Sequence, residues 1–84
     1  NAKLRNPQRA VSIARRVCEL TNYQSPSLLD TLAAAYAASG KFNKAVEIAE
    51  KALEFAIVSE QKEFAEKIRS RLSLYKARQP YREP

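Results

Sequence analysis

The sequence predicts an all-α fold of antiparallel helical hairpins, stacked as a short solenoid of about four helices. Three observations predict it. Ala10-Val11-Ser12-Ile13-Ala14 returns 35 positions later as Ala45-Val46-Glu47-Ile48-Ala49, and the echo continues from Val17 to Ala52 and from Leu20 to Phe55. Within each copy apolar residues recur three or four apart, the spacing of one helix face. A single Gly and four Pro leave few breaks in 84 residues. A fixed period of this length marks hairpins that cannot bury their apolar faces alone and so stack on one another. One small domain over residues 1–84, with a modest core, is the expected organisation.

The first helix is expected from Asn6-Pro7, with Asn6 as N-cap and Pro7 pre-set for the first helical position, to about Leu20. Its apolar residues cover more than one stripe, which suits a helix packed between two neighbours. After the connector Thr21-Asn22-Tyr23-Gln24, Ser25-Pro26 repeats the cap-and-proline signal for a second helix to about Ser39, and Gly40 ends it. Phe42 enters the turn and Asn43 is the expected cap of a third helix. Its buried stripe is Phe42, Ala45, Val46, Ala49, Ala52, Leu53 and Ala56. That helix has no clear stop, and only Ser59 offers a new cap. A fourth helix carries one apolar stripe, Ala65, Ile68, Leu72 and Tyr75, and a polar remainder, as the terminal cap of a stack requires. Residues 79–84 read as a loose tail.

Composition removes several chemistries. Cys18 is the only cysteine and His is absent, which excludes intramolecular disulfides, the usual zinc sets and the Cys–His and Ser–His–Asp nucleophile systems. No catalytic residue, metal or cofactor is expected, and the chain does not read as an enzyme. No apolar run approaches the roughly 20 residues that span a bilayer. A soluble segment without membrane contact is expected, with a cytoplasmic setting favoured and a membrane-attached parent protein left open. The net charge of +6 is concentrated at both ends of the chain. The run Lys67, Arg69, Arg71, Lys76, Arg78 and Arg82 allows an alternative reading as a basic nucleic-acid-binding helical module, but glutamates interrupt it and a solvated helix face is the simpler account. Cys18 reads as a small semi-buried hydrophobe, with Arg15 and Arg16 near enough to lower its pKa modestly. Tyr36 reads as a packed aromatic, and Asp30 as a solvated carboxylate.

The residues Leu29, Leu32, Ala33, Tyr36, Ala45, Ala49 and Ala52 resemble the tetratricopeptide repeat. Leu32, Tyr36, Ala45 and Ala52 match the signature Leu, Tyr and two Ala of that family. Leu29 stands in the Trp slot, Ala33 in the Gly slot and Ala49 in the Phe slot, whereas Ile57 replaces the signature Pro. Losing that Pro permits a third helix longer by a turn or more. The resemblance covers residues 26–57 as a full repeat, 7–22 as the second helix of a preceding repeat and 60–78 as a capping helix. It is similar to the C-terminal repeat and cap of larger bacterial tetratricopeptide proteins.

The resemblance implies a protein-interaction scaffold that binds a peptide or partner protein on its concave face. The inner positions would be Ser27, Asp30, Ala34, Ala37 and Ala38, with Lys67 and Arg71 at the edge of a shallow alanine-lined groove. With Asp30 the only charge there, no clamp for acidic chaperone C-termini is implied. The first helix should also leave an apolar side without cover, which predicts a homodimer. Two routes are open: packing through Val11, Ile13, Cys18 and Leu20, or exchange of the last helix with residues 57–61 straightened into one rod.

Overall fold

The computed structural model describes residues 7–79, which form α1 (Pro7–Leu20), α2 (Pro26–Ala38), α3 (Phe42–Val58) and α4 (Lys62–Lys76). The fold is all-α, as the sequence predicts, with no strand among the described residues. Each helix packs on the next, and the short connections make successive helices antiparallel. The Asn6 cap and, beyond Gln79, the tail lie outside the described residues.

All four helices stop in the same way. A residue just past the helix takes a left-handed conformation, its N–H donates to the carbonyl three back, and the next N–H donates to the carbonyl five back. The left-handed residues at these stops are Asn22 (φ 56°), Gly40 (φ 82°), Glu60 (φ 58°) and Arg78 (φ 60°), and after α1 the next residue, Tyr23 (φ 57°), is left-handed as well. The long-reach bonds are Tyr23 N to Cys18 O (2.8 Å), Lys41 N to Tyr36 O (2.9 Å), Gln61 N to Ala56 O (2.9 Å) and Gln79 N to Leu74 O (2.8 Å). Ile57 and Val58 are therefore the end of α3, and residues 59–61 form a turn around Glu60 that interrupts one long rod through 57–61. α3 runs to Val58, three residues longer than α1. The extra turn leaves Ile57 and Val58 exposed.

The starts differ from expectation in two places. Ser25 caps α2, its hydroxyl accepting from Leu28 N at 3.3 Å, with Pro26 opening the helix. α3, however, begins at Phe42 behind Lys41, and α4 at Lys62 behind Gln61, neither with a side-chain cap bond. Asn43 and Ser59 do not cap: Asn43 is already helical and Ser59 closes α3. The reason lies in the backbone. Lys41 and Gln61 each complete the preceding stop through N–H and start the next helix through the carbonyl, which accepts from Ala45 N (3.0 Å) and Ala65 N (2.9 Å).

The core is a row of small residues between larger ones. Ala45, Ala49, Ala52 and Ala56 of α3 are fully buried, four and three apart on one face. Side chains this short permit close approach of the helices that pack on α3, namely α2 and α4. α2 contributes Leu29, Leu32 and Ala33, and α4 contributes Ala65, Ile68, Leu72 and Tyr75, the stripe predicted for it. Burying each of Leu29, Leu32 and Ile68 contributes about 1.5–3 kcal/mol. Phe42, Val46 and Leu53, expected inside, are half-buried at the margin, as is Tyr36. Val11, Ala14 and Cys18 join α1 to this core.

Candidate protein-interaction surfaces

α1 separates the four residues expected to form one self-association face. Val11 and Cys18 are seven apart and share a face, and both are buried in the core; Ile13 and Leu20, also seven apart, are 57% and 81% exposed. At 100° per residue the two pairs lie about 160° apart around the helix. They cannot belong to one interface. The open face is instead Ala10, Ile13, Val17 and Leu20, spaced three, four and three, with Val17 half-buried and the others exposed. Sequence reasoning missed Ala10 and Val17, although the 35-residue offset could have found them. Shifting that stripe by 35 gives Ala45, Ile48, Ala52 and Phe55 on α3, where Ala45 and Ala52 are buried and Ile48 and Phe55 half-buried.

Charge flanks this stripe asymmetrically. By helical spacing Arg9 and Arg16 run along the edge beside Ile13 and Leu20, Glu19 lies one step beyond Arg16 on the same flank, and Arg15 lies opposite the stripe. A hollow of about 390 Å³ over α1 is lined by Ser12, Arg15, Arg16, Glu19 and Leu20. Inward, the Cys18 thiol donates to the Leu28 carbonyl at 3.5 Å. Burial pushes its pKa up, the reverse of the lowering expected from Arg15 and Arg16, which are both exposed.

The residues expected on a concave face also divide. Ser27 and Ala38 are exposed, Ala34 is half-buried and Ala37 is buried. Asp30 is not a solvated carboxylate: its side chain is 8% exposed and pairs with the Arg71 guanidinium, 18% exposed, across from α2 to α4. Its Oδ1 accepts no hydrogen bond among the described residues. The pair ties together helices that are not neighbours in the chain, so Asp30 holds the fold and offers little to a ligand. Lys67, Arg71, Ser70 and Leu74 line a depression of about 260 Å³ beside it.

The basic run is largely committed elsewhere. Arg69 pairs with Glu66 at 2.6 Å, Arg71 with Asp30, and Arg78 lies 5.6 Å from the Phe42 ring centre. Arg82 lies outside the described residues. No described helix is long and apolar enough to cross a membrane. Compared with protein-family models, with curated proteins and with solved structures, the chain matches none.

Proposed function

We propose that this chain is a protein-binding helical module of the tetratricopeptide type, which works by presenting helix faces to another polypeptide. The carrying observation is the uncovered stripe Ala10, Ile13, Val17 and Leu20, set against its buried or half-buried equivalent on α3. The equivalent is buried or half-buried inside the chain, where α3 packs against both α2 and α4. A surface of the same shape and apolar character on α1 stands ready for a helix that the described residues do not supply. The groove of Ser27, Ala34, Ala38 and Lys67 is secondary in this reading, because its one anionic side chain is consumed by Arg71.

The test uses the chain's own sequence as probe. A peptide with the sequence of residues 25–39 is titrated into the isotope-labelled chain and amide shifts are followed. Perturbation centred on Ile13, Val17 and Leu20, lost in an Ile13→Ser/Leu20→Ser variant with unchanged helix content, is the expected result. Shifts confined to Ser27, Ala34 and Lys67, or no shifts, would refute the assignment to α1.

A further inference from the structure

We infer that two copies of this chain exchange α4. In the single chain the corner Ser59-Glu60-Gln61 is closed. In the pair it opens, α3 and α4 run on as one helix, and the α4 of each copy packs on α3 and α2 of the other. Of the corners between the described helices, the one before α2 holds Pro26 and the one before α3 holds Gly40, residues that oppose a continuous helix; this one holds neither. Its left-handed residue is Glu60, at φ 58°, a conformation that costs any residue with a Cβ. The closed corner also starts α4 without a side-chain cap, so the amides of Lys62, Glu63 and Phe64 have no acceptor in the helix. A continuous helix pairs them with the carbonyls of Val58, Ser59 and Glu60.

The apolar pattern runs through the corner. Val46, Leu53, Ile57, Phe64, Ile68 and Tyr75 are seven, four, seven, four and seven apart, and on one straight helix they fall within about 60° of arc. In the single chain all are buried or half-buried except Ile57, which is 52% exposed at the corner. Opening the corner puts Ile57 on the seam between two antiparallel helices and covers it. Every contact that α4 gives up is remade between copies: its packing on α3 and the Asp30–Arg71 pair with α2. A short corner under backbone strain favours such an exchange.

Two measurements test this. Chains are refolded from urea at a series of concentrations and followed by light scattering. Glu60→Ala, which suits the straight helix, should dimerise at least about a hundredfold more tightly than Glu60→Gly, which suits the turn, because each pair opens two corners. Equal dimerisation, or monomers of both at every concentration, would overturn the exchange. In the second, Asp30→Lys and Arg71→Glu chains are refolded together in equal amounts. Alone, each variant sets like charges against one another. Exchange sets the introduced lysine against the introduced glutamate, and Asp30 against Arg71, each across the two chains. A heterodimer in native mass spectrometry, absent from either variant alone, is the expected result. A mixture equal to the sum of its parts would overturn the inference. So would a parent dimer abolished by Leu20→Ser but indifferent to position 60, which would assign pairing to the α1 face instead.

Discussion

The Asp30–Arg71 pair permits a quantitative test of what holds α4 against the rest of the fold. Replacing Arg71 by Met leaves the Asp30 carboxylate buried with neither oxygen paired to a cation. Breaking a buried pair this way costs about 3–5 kcal/mol. Arg71 is 18% exposed, so part of the pair's field is already screened by water, and about 2–4 kcal/mol is the working estimate. Asp30→Asn should cost less, about 1–2 kcal/mol, because the long Arg71 side chain can swing its charge toward solvent. The double replacement Asp30→Leu/Arg71→Met strands no charge and should lie within about 1 kcal/mol of the parent. Urea unfolding followed by circular dichroism at neutral pH measures all of these. A domain this size has only about 4–12 kcal/mol of stability in total, so the Arg71→Met loss should also appear as a fall of at least about 8 °C in Tm. Single variants within about 0.5 kcal/mol of the parent, with a double variant equal to their sum, would show that the two side chains do not act together.

Three further outcomes are expected. Burial holds the Cys18 thiol above its unfolded value, so its contribution to stability is complete below about pH 8.5 and is lost as pH rises through the folded-state pKa. The stability difference between the parent and Cys18→Ala should shrink between neutral pH and pH 10, and a difference independent of pH would contradict this. At the helix stops, Gly40→Ala meets no atom within 4 Å yet must adopt φ 82°, so it should cost about 1 kcal/mol through the backbone alone. Glu60→Gly relieves the same strain and should stabilise by about 0.5 kcal/mol after the added freedom of the unfolded chain is counted. Urea midpoints moving in the same direction for both variants would contradict the account.

The helices were legible because their apolar spacing and two proline starts are local signals. Their boundaries were less so. Gly40 announces its stop, but Asn22, Glu60 and Arg78 adopt the same left-handed conformation without being glycine, so nothing in the residue types marks the end of α3. The starts at Lys41 and Gln61 were hidden for a related reason, since backbone groups alone make the junction. Asp30 was misread because its partner lies 41 residues away, beyond any local pattern. On α1 the sequence displayed enough apolar residues for two faces, but it did not say which faced α2. Burial resolves this, because Val11, Ala14 and Cys18 are buried where α1 packs on α2, whereas Ala10, Ile13 and Leu20 are exposed.

The shared junction residues Lys41 and Gln61 leave these corners no slack. Adding one residue within α3 or α4 would rotate everything beyond it by about 100°, swinging charged side chains toward Ala49 or Ile68. Length change should therefore be accepted only near Gln24, where two residues separate the stop of α1 from the proline that opens α2. Evolution or design that lengthens this molecule must do so there, or at its ends.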